Sequence, residues 1–250
     1  MKTISIISAK GGVGKTTVAS NLGVTLVRDF GKRVLVVDGN ITTPTLGLQF
    51  GIVSQDKTLS EALAGEITIF QSIYMHPSGL YVIPSSMSIR HDYNTIDNLS
   101  QRLAEVKDSY DIILIDGAAG IGKEVVSVLK ASDATIIITN PELPPITAAV
   151  KASKIAKAMN VPVIGIVLNK VRGKKYELGI KEIENLTESK VIGIIPYDES
   201  VPESSRQMTP AILYKKSARC SSSFKKLAGH ITETPLKETA FDRLRAKIGI

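Results

Sequence analysis

Seven short runs of aliphatic and β-branched residues recur along the chain: TISII (3–7), RVLVV (33–37), LYVI (80–83), DIILI (111–115), ATIIIT (134–139), VPVIGIVL (161–168) and VIGII (191–195). Most are continuous rather than alternating, as expected of strands covered on both faces. Stretches with helical periodicity lie between them, at 15–29, 59–64, 94–108, 123–130, 146–159, 176–187 and 215–229. Strands alternating with helices predict right-handed crossovers. The expected fold is α/β, a mostly parallel twisted sheet with helices on both faces. One domain is expected over 1–234, because no repeat, low-complexity tract or linker interrupts it before Thr232. Pro235 then sets off a last segment, 235–250.

The loop after the first strand carries the clearest chemistry. It reads Ser8-Ala9-Lys10-Gly11-Gly12-Val13-Gly14-Lys15-Thr16-Thr17 and opens a helix. Glycines let the backbone curl so that its N–H groups converge on phosphate oxygens. The helix that follows adds its positive N-terminal end. In such a loop Lys15 reaches the β- and γ-phosphates, and the Thr16 hydroxyl is placed to ligate Mg²⁺. The usual pattern has glycine where Ala9 stands, and it needs only one lysine. Lys10 is the second.

GKT preceded by an extra lysine resembles the deviant Walker A loop of the MinD/ParA family of P-loop ATPases, which is related also to nitrogenase iron proteins. The resemblance covers nearly the whole chain. It implies that Lys10 crosses a dimer interface to the partner subunit's phosphates, so that ATP holds a face-to-face homodimer together. IILIDGAAG (112–120) resembles the Walker B segment, with Asp116 holding Mg²⁺ through water. TNPE (139–142) matches a MinD-like turn, with Glu142 reaching towards the partner's nucleotide. Asn169 of VLNK (167–170) resembles an adenine-reading asparagine. IPYDESV (195–201) resembles the loop that closes over the base, through Pro196 and Asp198. TLSEALAGE (58–66) and VIPSS (82–86) place the likeness nearest MinD.

The chain departs from that pattern at VVDGNITTPTLGL (36–48), in the switch I position. Asp38 matches the first of two family aspartates, a water-mediated Mg²⁺ contact. The second, which orients the attacking water, is here Asn40. An amide cannot accept a proton as a carboxylate does. Positioning and charge stabilisation nevertheless dominate phosphoryl transfer. Slow turnover and a long-lived ATP dimer are therefore expected.

Charge and cysteine content narrow the picture further. The net charge is +7, and nine Lys or Arg against three Asp or Glu from Lys215 onward supply six of those charges. That asymmetry points to an anionic surface. In 236–250, Phe241, Leu244 and Ile248 share a helical face flanked by Lys237, Arg243, Arg245 and Lys247. This is the pattern of a helix lying in a membrane surface. DNA, with KVRGKK (170–175) as a further basic stretch, is the alternative partner. An ATP-binding scaffold with negligible turnover is a third reading. Cys220 is the single cysteine, so it forms no internal disulfide and cannot furnish an iron–sulfur cluster. His76, His91 and His230 are scattered without metal spacing. MKTISIISAK reads as a buried first strand rather than a signal peptide, and no apolar run is long enough to span a bilayer. A cytoplasmic protein is expected, reversibly at the inner face of the cell membrane, with an unidentified activator or cargo protein.

Overall fold

The computed structural model describes residues 2–53, 56–88, 93–215 and 217–234. The elements run β1 (Lys2–Ser8), α1 (Lys15–Phe30), β2 (Val34–Gly39), α2 (Leu59–Ala64), β3 (Tyr74–Met75), β4 (Tyr81–Ile83), α3 (Leu99–Val106), β5 (Ile112–Ala119) and α4 (Lys123–Lys130). They continue with β6 (Ala134–Thr139), α5 (Leu143–Ala158), β7 (Val163–Val171), α6 (Ile180–Thr187), β8 (Val191–Pro196), α7 (Ser200–Arg206), α8 (Ala211–Tyr214) and α9 (Arg219–Thr232). The sheet order is β3-β4-β2-β5-β1-β6-β7-β8. Every pairing is parallel except β3 with β4.

The continuous apolar runs are explained by two hydrophobic layers. Leu35, Val37, Ile113, Ile115 and Ile137 belong to one, with residues of α2 to α6. Val34, Val36, Ile112, Leu114, Ile136 and Ile138 belong to the other, with α1, α8 and α9. Successive strand residues point to opposite faces, so a strand covered on both must be apolar at every position. Phe224 of α9, 1% exposed, sits in the second layer.

The topology itself fixes where a ligand goes. From β1 the chain moves through β2 towards one edge of the sheet, and after β5 it crosses to β6 and the other edge. The order therefore reverses around β1, and ligands of such sheets sit at the carboxyl ends of the strands at that switch point. The loop 9–14 leaves from there.

All seven predicted strands are present. Helix α5 begins three residues before its predicted start, because Pro144 and Pro145 fall in the first turn, where no N–H is needed. The predicted helix 94–108 is α3 flanked by 3₁₀ turns at Tyr93–Asn98 and Lys107–Ser109. Among the described residues no helix is long and apolar enough to cross a membrane. The amphipathic segment expected at 236–250 lies outside the described residues.

Candidate functional site

The loop between β1 and α1 is pinned at both ends. The Ser8 hydroxyl donates to the Lys10 carbonyl at 2.7 Å, and Val13, 2% exposed, inserts into the apolar layer beneath α1. Gly14 is in the left-handed region at φ 98°. A Cβ there would also collide with the Asn169 amide nitrogen, so only glycine fits. Lys15 then turns inward and is 9% exposed. Burial pulls its pKa below the ordinary lysine range, and the Asp116 carboxylate opposes that pull. Thr16 and Thr17 are half-buried, whereas Lys10, Gly11 and Gly12 are exposed at the rim.

Two carboxylates lie beneath this loop. Asp38 and Asp116 are partners in the register of β2 with β5, and both are fully shielded from solvent. Asp38 accepts N–H bonds from Asn40 at 3.2 Å, Thr45 at 3.1 Å and Leu46 at 3.0 Å. Burial and the Asp116 charge nevertheless hold its pKa well above the usual carboxylate range. Asp116 is raised to about 6 by burial, against the Thr16 hydroxyl and the Lys15 ammonium. Its Oδ1 is buried without a hydrogen-bond partner. A buried carboxylate oxygen left unpartnered beside a second carboxylate and a threonine hydroxyl is an oxygen donor set for a hard divalent cation. Mg²⁺ fits these residues, and the glycine cradle above them fits a phosphate chain.

The switch I segment is already ordered. Asn40 Nδ2 donates to the Thr43 carbonyl at 2.5 Å, and its Oδ1 accepts from the Thr43 N–H at 3.2 Å. Both ends of the amide are thus occupied by its own turn. Thr42 donates its N–H and hydroxyl to Glu124 of α4, both at 2.9 Å. The Thr45 hydroxyl lies 3.1 Å from that of Thr16. Glu124 and Thr45 were not singled out from the sequence. They are ordinary residues there, and only the fold brings them to the loop.

The remaining predicted residues are placed unequally. Glu142 is exposed and is the N-cap residue of α5. Asn169 is buried, with one hydrogen of Nδ2 donated to the Val13 carbonyl at 2.7 Å. Pro196 ends β8, paired with Val171. Asp198 accepts from the Ser200 N–H and hydroxyl at 2.9 and 2.6 Å and from the Cys220 N–H at 3.1 Å, which joins α7 to α9. Burial works against its ionisation, but these bonds keep its pKa below the ordinary value. Burial pushes the Cys220 thiol up to about 12. Two of the four cations of KVRGKK have contacts of their own, although all four are exposed. Lys170 bonds the Gly12 carbonyl at 2.7 Å, and the Arg172 guanidinium lies 3.6 Å from the centre of the Tyr197 ring.

Known proteins resemble this chain in sequence and fold. A family described as "AAA domain" matches residues 1–158. Another, described as "4Fe-4S iron sulfur cluster binding proteins, NifH/frxC family", matches residues 92–245. An iron–sulfur cluster does not fit this chain, because one cysteine per subunit gives even a symmetric dimer two thiolates where such a cluster takes four. An uncharacterized ATP-binding protein of Methanocaldococcus jannaschii is 36% identical over 234 residues, covering 93% of this chain and 89% of the relative. The crystal structure of the cell division ATPase MinD of Pyrococcus furiosus is 32% identical with a TM-score of 0.86, covering 94% of this chain and 99% of that one. The septum site-determining protein MinD of Pyrococcus horikoshii OT3, solved in complex with Mg-ADP, is 30% identical with a TM-score of 0.84, over 92% and 95% of the two chains.

Proposed function

Starting from the chain's membership of the MinD/ParA-type P-loop NTPases, we propose that it is an ATP-driven dimerisation switch that positions other components at a membrane surface. It is an ATPase of that type, with ATP and Mg²⁺ as cofactors. Lys15 and the N–H groups of the glycine loop bind the phosphates. The Thr16 hydroxyl and Asp116, with Asp38 behind, hold Mg²⁺, which when bound offsets the negative charge of the phosphates and of both carboxylates. Asp38 also ties switch I down through three N–H groups, so the segment carrying Asn40 is held close to the carboxylate pair.

The observation that carries the switch reading is Lys10. Its carbonyl is fixed by Ser8 while its side chain stands exposed beside the loop. Exposed Ile121 and Leu143 (54% and 60%) follow β5 and β6 at the same end of the sheet, where a second copy would cover them. A cation supplied in trans stabilises transition-state charge in the manner of an arginine finger.

Turnover is expected to be slow because Asn40 is engaged by Thr43 and has no carboxylate to take a proton. Asn40→Asp removes the donor to the Thr43 carbonyl and supplies a carboxylate. It is expected to raise kcat by about tenfold, less than a full general-base contribution because positioning dominates phosphoryl transfer. Phosphate release at saturating ATP reads this directly, and an unchanged kcat contradicts it.

The output is assigned to 236–250, whose apolar face and basic flanks suit an anionic bilayer. One such helix binds weakly, whereas two joined in a dimer gain from effective concentration. Co-sedimentation with anionic vesicles is therefore expected in ATP but not in ADP, and to be lost on deleting 236–250. Pelleting that survives the deletion contradicts the assignment. ATP-dependent, salt-sensitive retention on duplex DNA without lipid binding would favour a partition-type role instead.

A further inference from the structure

We propose that Lys170 is a positioning residue which, with Asn169, latches the phosphate loop from the end of β7 and aims its N–H groups. This rests on the nucleotide-binding reading above and adds a residue to it. In a regular strand, consecutive side chains point to opposite faces. Here the ladder of β7 with β8 slips register between Leu168 and Val171, and Lys170 stands at φ 59°, a region that residues with a Cβ rarely adopt. Bulges of this kind re-aim side chains. Asn169 Nδ2 reaches the Val13 carbonyl and Lys170 Nζ the Gly12 carbonyl, each at 2.7 Å. Two successive residues of one strand thereby hold two successive carbonyls of the loop.

Peptide planarity supplies the consequence. In a trans peptide the C=O and the following N–H point in opposite directions. Drawing the Gly12 and Val13 carbonyls towards β7 turns the N–H groups of Val13 and Gly14 away from it, into the curl of the loop. These are the donors that a phosphate loop offers. The ammonium also neutralises a carbonyl dipole at the edge of an anion site.

The latch has its own supports. Asn140 Nδ2 donates to the Asn169 carbonyl at 2.9 Å, tying it to the end of β6. Beyond Lys170, the N–H groups of Arg172, Gly173 and Lys174 all donate to Glu177, at 2.7, 2.7 and 3.1 Å. The end of β7 is therefore braced on both sides of the strained residue.

A latch on the loop acts on both nucleotides alike, because it orients donors rather than touching the γ-phosphate. In the full chain, Lys170→Met is expected to weaken ATP and ADP binding equally, by about tenfold, the loss of one charge-assisted hydrogen bond. At saturating ATP, kcat should stay within about twofold of wild type, and Lys170→Arg should recover most of the affinity. Lys170→Gly relaxes the left-handed backbone but lacks the ammonium. It is expected to bind as weakly as Lys170→Met while melting no lower than wild type. Titration calorimetry with ATP and with ADP, alongside steady-state kinetics, separates the outcomes. Wild-type affinity in Lys170→Met or Lys170→Gly, or a loss confined to kcat, would overturn the latch. Failure of the wild-type chain itself to bind nucleotide would overturn the reading beneath it instead.

Discussion

Lys15→Gln is expected to lower ATP turnover by about two to three orders of magnitude, the cost of removing one preorganised donor from developing charge. Lys15 is the one lysine of the loop that is buried, and its ammonium lies close enough to Asp116 for each to perturb the other. Burial alone would push the charge off Lys15, and the carboxylate keeps it on. Substitution removes the cation that the phosphates meet. It also takes from Asp116 one of the two influences that restrain its pKa, so Mg²⁺ must then compete with a more tightly held proton. Turnover and Mg²⁺ affinity should therefore fall together. Phosphate release at saturating ATP, repeated across a Mg²⁺ titration, checks both. A variant that regained full turnover at high Mg²⁺ would show that Lys15 acts only through the metal.

Asp116→Asn should do two opposite things. It removes a Mg²⁺ donor, and turnover is expected to drop by about a hundredfold or more. At the same time it should stabilise the nucleotide-free protein at neutral pH. Asp116 is raised from its ordinary 3.8 to about 6 by burial, so the folded state holds this proton more tightly than the unfolded chain. The sign follows from linkage. The stabilisation from protonation is complete below about pH 4 and is lost as pH rises through about 6. Above that range the ionised group costs on the order of 1–3 kcal/mol. The wild-type Tm without nucleotide should accordingly fall between pH 5 and pH 7. Asp116→Asn should melt several degrees higher at pH 7.5, at about 2–4 °C per kcal/mol for a chain of this size. Its pH dependence should be shallower but not absent, because Asp38 is also raised by burial. Mg-ATP should close the gap by stabilising wild type more than the variant. Thermal melts across this pH range, with and without Mg-ATP, read every part of the prediction. A variant less stable than wild type at pH 7.5 without nucleotide would contradict it.

The fold was legible where burial on both faces forced long apolar runs. That is why β1, β2 and β5 to β7 stand out in the sequence. Strand β3 is two residues at an antiparallel edge, too short for any period to register. Helices α7 and α8 have seven and four residues, and SVPESSR carries a proline and no apolar stripe. The phosphate loop was equally plain, because glycine, lysine and threonine at fixed spacing have few other uses. Asp116 and Asp38 were legible as strand-end carboxylates, but their side-by-side register was set by the strand order. Lys170 was legible only as one cation of a basic stretch. Its contact with Gly12 depends on a register slip and a left-handed backbone imposed by neighbouring strands, and local sequence does not encode either. The same holds for Asp198, which the sequence places in IPYDESV and whose oxygens join α7 to α9 only once those helices pack together.

On the proposed reading, ATP joins two copies of this chain through Lys10. Light-scattering mass in solution tests it most directly, with Mg-ATP, with Mg-ADP and without nucleotide. The expected result is the 26.9 kDa monomer without nucleotide and in Mg-ADP, a doubled mass in Mg-ATP, and no doubling for Lys10→Ala. One mass in all three states, or a Lys10→Ala chain that still doubles in Mg-ATP, would contradict it.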